Sequence, residues 1–345
     1  MSALAEILKR VDVLPNGSIT MGNFVNADGF AKKQVRAITH AHQDHLGELG
    51  KSYSYQGKLL MTPETYAYLT SLYNFRGTRS KVNVIRYGSY IKIWDEKVTF
   101  LRAEHIPGSA QVLVENDRGL RVLYSGDFKN PGIGTEILED GVDILIVDAT
   151  YGCPKLIRSY KERMVEILID VVEKALSANT KLVFYTYYGK SEEVILLLRE
   201  WGFDLPVVVN KRHYKLIKEL ESLGFKFGDV LTEEQALEER LEEAFFFVHF
   251  NKISKDPSAF RKDAANLVLS GWFFEPYRRV AENVWEVGFS DHADFEDTIH
   301  YIISHRPALV ITDGFRSSKC ASALARYLRF KYGIMAVARP GGATQ

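Results

Sequence analysis

"THAHQDHLGELG", residues Thr39 to Gly50, places three histidines and an aspartate within six positions: His40, His42, Asp44 and His45. A polar surface loop would account for one or two of these residues. A hydrolytic metal centre would account for all four. The stretch follows "VRAIT" (35–39), a short β-branched run that reads as a strand. In extended chain, residues i and i+2 point the same way, so His40 and His42 converge on one ion. Asp44 and His45 fall where the chain turns into a loop or helix, placed to face a second ion a few ångströms away. Imidazole and carboxylate suit zinc, and also manganese or iron.

The missing ligands are supplied by other strand ends. "KVTFLRA" (97–103) precedes His105, "AQVLVEN" (110–116) comes next, "RVLYS" (121–125) precedes Asp127, and "DILIVD" (143–148) ends on Asp148. Functional side chains at the ends of strands are what a site built on a rigid sheet requires. A lone histidine is usually a surface or core residue. His105 and Asp127, in this order after the cluster, read as its partners.

Beyond Asp148 the pattern changes. Met164, Val165, Leu168, Val171, Val172 and Ala175 recur at helical spacing. "KLVFYTYYGKSEEVILLLREW" and "LPVVVNKRHYKLIKELESLG" each read as strand then helix, which predicts a parallel sheet. Thr232 and Gln235 form a capping-box signature before the strand candidate "AFFFVHF". Strand–helix units return at the end, with Asp294 as an N-cap and Gly333 closing the helix "SKCASALARYLRFKYG".

The bulk numbers are compatible with an enzyme and exclude several classes. The chain has 345 residues, enough for two domains. Lys plus Arg and Asp plus Glu are 44 each, so no net positive charge coats nucleic acid non-specifically; only a local basic groove remains open. No apolar run is long enough for a membrane span, and charges interrupt the start where a signal peptide needs an apolar core. Cys153 and Cys320 lie far apart in sequence and away from the histidines. They are read as free thiols of a reducing cytoplasm rather than a disulfide framework or a closed structural zinc site.

H-x-H-x-D-H, then a single His, then an Asp in "SGD" resembles the metallo-β-lactamase fold. The resemblance implies an αββα sandwich in which His40, His42 and His105 hold one zinc, Asp44 and His45 hold a second, and Asp127 bridges. Manganese is the alternative metal. "VDATYG" (147–152), "FSDHADF" (289–295), "LSGWF" (269–273) and "HIPGSAQV" (105–112) are similar to the β-CASP nucleases, and among them to the prokaryotic ligase-associated DNA exonucleases. That branch carries an inserted α/β domain. The implied organisation is a metallo-β-lactamase domain in two parts, 1–157 and 276–345, around a β-CASP domain at 158–275. Asp148 would match the family's first acidic motif and His292 its motif histidine. One departure stands out: the family's T-H-G histidine is Asp313 here, so either this carboxylate ligates a second metal with altered preference or the second metal binds weakly and one ion does most of the work.

The resulting expectation is a metal-dependent nuclease that uses a metal-activated hydroxide in a cleft between two α/β domains. Asp44, Asp148 and His292 are its catalytic groups, and DNA trimmed from an end in repair or processing is the substrate. Association with a DNA ligase or helicase belongs to the same resemblance. Substrate contacts are expected from Ser109, Tyr188, Lys190 and Ser270; Lys190 follows Gly189 at a helix start that favours phosphate. His213, His249, His300 and His305 read as structural or surface residues. The rivals are an RNase of the RNase J or cleavage-factor type, a thioesterase-like hydrolase of small molecules, and a non-catalytic binding subunit. The last is weakened by the six ligands retained, and the small-molecule reading by an inserted domain that it does not need.

Overall fold

Strand segments of this chain bury both faces, and their alternating side chains serve two cores. Val122 and Tyr124 face one core and Leu123 the other; Ile144 and Ile146 oppose Leu145 and Val147 in the same way. A sheet covered on both sides needs such continuous apolar strands. The computed structural model describes residues 3–55, 57–78, 80–251, 253 and 256–341. The chain forms two units. One comprises Met1–Leu69, Phe75–Ile157 and His292–Gln345, the other Thr70–Asn74 and Arg158–Asp291.

The first unit holds two sheets. One runs in the order Val11–Val13, Ser18–Met21, Val25–Asp28, Val35–Ala37, Lys58–Met61, Val82–Val84. The other runs Met335–Arg339, Leu309–Asp313, Ile144–Val147, Arg121–Tyr124, Ala110–Asn116, Glu96–Arg102, Tyr90–Ile93. Ile19, Val25 and Ala37 of the first sheet pack with Phe100, Val112 and Ile146 of the second, giving the inner ββ layer. The outer face of the second sheet is covered by helices Phe295–His305 and Gly314–Tyr327, through Ile299, Ile302, Ala321 and Leu324. This is the αββα sandwich. The C-terminal strands extend it: Leu309–Asp313 pairs in parallel with Ile144–Val147, and Met335–Arg339 with Leu309–Asp313.

The cysteine expectation is overturned in this unit. Cys153 and Cys320 form a disulfide with Cα atoms 4.6 Å apart, bridging 167 positions of sequence. Sequence distance gave no hint of it, because the pair meets only once the C-terminal helix lies against the segment after Asp148. Gly152 approaches the Cys320 carbonyl so closely that an added Cβ would sit 3.1 Å from its oxygen.

The second unit is built on strands ordered Val230–Thr232, Val207–Val209, Ala244–His249, Lys181–Thr186, Ala265–Ser270, Val284–Gly288, Tyr277–Ala281. All neighbours are parallel except the terminal hairpin. Thr232 caps its helix through the Gln235 amide, and the Gln235 side chain returns the bond. Among the described residues, no helix is long and apolar enough to cross a membrane.

Candidate metal centre

The strand Val35–Ala37 ends at the sheet rim and delivers His40 and His42; the short helix Gln43–His45 that follows delivers Asp44 and His45. The loop is held from beneath by Arg36, whose buried guanidinium donates to the carbonyls of His45 and Gly47 at 3.0 Å and to Ser52 Oγ at 2.6 Å. Burial pulls the Arg36 pKa down to about 10. His105 follows the strand Glu96–Arg102, and Asp127 follows Arg121–Tyr124 across Gly126. Gly126 has φ 56°, and an added Cβ would lie 2.9 Å from the Ala110 carbonyl oxygen, so the turn that presents Asp127 requires glycine.

Four of the expected ligands meet. One ligand atom each from His40, His42, His105 and Asp127 lies within 4.8 Å of the others. Asp127 Oδ2 is 3.5 Å from His40 Nε2, 3.7 Å from His105 Nε2 and 3.2 Å from His45 Nε2. His105 Nε2 and His42 Nδ1 are 3.0 Å apart. The decisive property is what these atoms lack. His40 Nε2, His45 Nε2 and Asp127 Oδ1 are buried with no hydrogen-bond partner. A buried polar atom left unpaired costs roughly 1–3 kcal/mol, and ligation by a cation removes that cost. Burial, with His45 beside it, pushes His40 well below the usual imidazole range, which favours the neutral ligand form. Burial opposes a charge on Asp127, but His45, His292 and His40 hold its carboxyl well below the usual range. The donor set therefore fits a metal ion.

A residue not anticipated from sequence orients this set. Asp28, buried at the end of Val25–Asp28 with φ 55°, accepts from the Thr39 amide and hydroxyl at 3.0 Å each, and sits 2.7 Å from His45 Nδ1. Thr39 Oγ1 in turn lies 3.1 Å from His40 Nδ1. The Asp28 contact places the Nδ1 proton of His45 and leaves Nε2 for a ligand. The "DG" turn that ends a short strand was the one available signal.

Asp148 and His292 form a second arrangement at the same rim. His292 Nδ1 is 3.1 Å from Asp148 Oδ2, while its Nε2 faces Asp127 Oδ2 at 3.9 Å. Asp148 is held in turn, its Oδ1 accepting from the Thr150 amide and hydroxyl at 2.8 Å each.

Asp313 lies at the end of Leu309–Asp313. Its Oδ1 accepts from the Phe315 amide at 2.9 Å and its Oδ2 from Arg316 Nη1 at 2.6 Å. Arg316 also donates through Nε to Asp44 Oδ2 and through Nη2 to the Asp44 carbonyl, both at 3.1 Å. The Arg316 side chain is only 7% exposed.

The residues expected to contact substrate also make contacts within the chain. Ser109 is buried, its hydroxyl accepting from the Ile106 amide at 3.0 Å. Tyr188, Lys190 and Ser270 belong to the second unit. Tyr188 packs its ring edge against His213. Lys190 is buried 3.4 Å from Asp291, and the Gly189 amide donates to the Glu192 carboxylate, so a carboxylate of the chain already occupies that amide. The Ser270 hydroxyl accepts from the Trp272 amide at 3.2 Å. His305 is structural: its Nδ1 contacts the Tyr301 carbonyl at 2.9 Å, and its Nε2 accepts from the Leu138 amide.

Relatives carry the same reading further. The chain is 29% identical over 203 residues to "Ribonuclease TTHA0252" of Thermus thermophilus, covering 52% of this chain and 46% of that protein. The chain belongs to the β-CASP nuclease family, of metallo-β-lactamase fold. This β-CASP chain is also 42% identical over 144 residues to an "Uncharacterized protein in lig 3'region" of Acidianus ambivalens, covering 42% of the chain and 98% of that protein. A "Probable DNA ligase" of Opitutus terrae is 24% identical over 284 residues, covering 80% of the chain and 26% of the ligase. Apart from the Acidianus protein, the chain spans half or less of these relatives. No family model matches the sequence.

Proposed function

We propose that this β-CASP protein is a metal-dependent nuclease that hydrolyses phosphodiester bonds of DNA, working from an end. The observation that carries the hydrolytic reading is the unpaired, buried set of His40 Nε2 and Asp127 Oδ1 beside His42 and His105. Zinc, or manganese in its place, is the ion this nitrogen-rich set would hold. When bound, it lowers the pKa of a water and neutralises phosphate charge. His292, aimed by Asp148 at Nδ1, presents Nε2 to the same rim, where it donates to a phosphate oxygen or protonates the departing oxygen. Asp148 keeps the imidazole in one orientation, a positioning role.

The preference for DNA is supported by the probable DNA ligase, a quarter of which is similar to most of this chain, and by the Acidianus protein described from a lig region. A ribonuclease reading is supported by the Thermus relative's name. The two are separated by incubating end-labelled DNA and RNA of matched sequence with the full chain in zinc or manganese. Faster release of nucleotides from DNA is expected. Faster RNA turnover would transfer the assignment to RNA, and cleavage of neither with any divalent metal would end the nuclease reading.

A further inference from the structure

We propose that Arg316 stands in for the second metal ion, so that the chain binds one ion tightly, at His40, His42, His105 and Asp127. The proposal rests on reading that cluster as a metal centre, and it concerns the neighbouring position, where Asp44, His45, Asp127 and Asp313 would be the donors. Both oxygens of Asp313 are already committed, one to the Phe315 amide and one to Arg316. The guanidinium is bonded at the same time to the side chain and the carbonyl of Asp44. Its planar fork thus joins the two carboxylates that a second ion would have to join. An ion on Asp44 Oδ2 would sit at about 2.0–2.2 Å from that oxygen, against a cation already 3.1 Å from it.

The alternative donors are too few. His45 Nε2 has no hydrogen-bond partner and lies 3.4 Å from Asp44 Oδ2. Its other neighbour is Asp127 Oδ2, the oxygen already shared with the three-histidine group. One imidazole and a shared carboxylate do not make the four-donor shell of a tight zinc site. Arg316 is also held in place. It is nearly buried, and withdrawing it would leave the carboxylate of Asp313, 1% exposed, without its charge partner. Breaking a buried pair in that way is strongly unfavourable. The arrangement is local in sequence: Asp313 caps a turn containing Gly314, Phe315 and Arg316, and the non-helical Ser317 (φ −149°, ψ 70°) separates that turn from the rest of the helix.

Zinc titration of the metal-stripped full chain, followed calorimetrically and by metal content after dialysis, reads the stoichiometry without any substrate. One tight equivalent is expected, with any second at least about tenfold weaker. Two equivalents of similar affinity would overturn the proposal. Arg316→Met, which removes the charge and keeps much of the volume, should gain the second equivalent; remaining at one would show that the guanidinium is not what excludes it. Arg316→Lys keeps the charge and covers the case in which Arg316→Met does not fold. It should stay at one, and two would count against the proposal. No zinc bound by the wild-type chain would sink the metal-centre reading itself, an outcome distinct from two.

Discussion

Asp28 lies outside the candidate donor set yet contacts the residues that position it. It lies beneath the cluster, with its two oxygens on the Thr39 amide, the Thr39 hydroxyl and His45 Nδ1. Burial works to raise its pKa, but His45 and the Thr39 amide hold the carboxyl below its ordinary value. Removing such an outer partner typically costs 10–100-fold in metal affinity. Asp28→Asn is therefore expected to weaken zinc binding by about that factor in competition with a chromophoric chelator; unchanged affinity would mean Asp28 does not orient the ligands. The candidate four-donor group was legible in the sequence because metal chemistry demands rare residue types at strand ends, and His40, His42, His105 and Asp127 are of those types and lie together. Asp28 was not, since one aspartate twelve positions before the cluster resembles any turn residue. Arg316 was not legible for a related reason: an arginine beside serines and a lysine looks like solvated surface, and its partners Asp313 and Asp44 become evident only in the fold.

Elements carry a second kind of information, set by capping and register. Thr232 and Asp294 were readable as N-caps, because the oxygen-bearing side chain and the following helical pattern are adjacent in sequence. Strands such as Val11–Val13, Ser18–Met21 and Val25–Asp28 were not. Three or four residues buried on both faces show no alternation to read. Helix Lys190–Glu200 is joined to helix Lys211–Ser222 by a buried contact that neither periodicity discloses, Glu192 Oε1 to His213 Nε2 at 2.8 Å. Burial works to raise the Glu192 pKa, but His213 and the Gly189 amide hold it below the ordinary 4.5. A carboxyl depressed by folding contributes stability that is complete above the unfolded value and lost as pH falls through the folded one. Denaturant titrations should show stability falling as pH drops below about 4.5, with a shallower fall in Glu192→Gln. At neutral pH His213→Ala should cost about 3–5 kcal/mol, since it leaves a buried carboxylate without its imidazole partner. A loss under 1 kcal/mol would mean that water replaces the imidazole.

For the whole molecule, one covalent cross-link bears on the first unit, and the proposed metal ion would add a second. The Cys153–Cys320 bridge ties the segment after Asp148 to the helix Gly314–Tyr327, closing a long loop whose freedom in the unfolded chain is thereby reduced. Thiol titration of the unreduced chain should find no free cysteine. The double substitution of Cys153 and Cys320 by serine should lower stability by about 2–5 kcal/mol, and an equal midpoint with and without reductant would show that the bridge adds nothing. The proposed ion would join three separate stretches: the loop holding His40 and His42, the turn at His105, and the "SGD" turn at Asp127. Only the folded chain brings them together, so an ion there binds the native state alone and stabilises it by mass action, by about 2.7 kcal/mol at a free concentration one hundred times Kd. The effect should also be local, because every ligand lies in the first unit and the unpaired atoms left by removal are His40 Nε2, His45 Nε2 and Asp127 Oδ1. Hydrogen exchange after chelation is expected to rise at 39–50, 103–109 and 125–128 and to stay unchanged in Lys181–Thr186 and Ala265–Ser270, strands of the other unit. Unaltered exchange around His40 and Asp127 would mean that no ion had been holding these three stretches together.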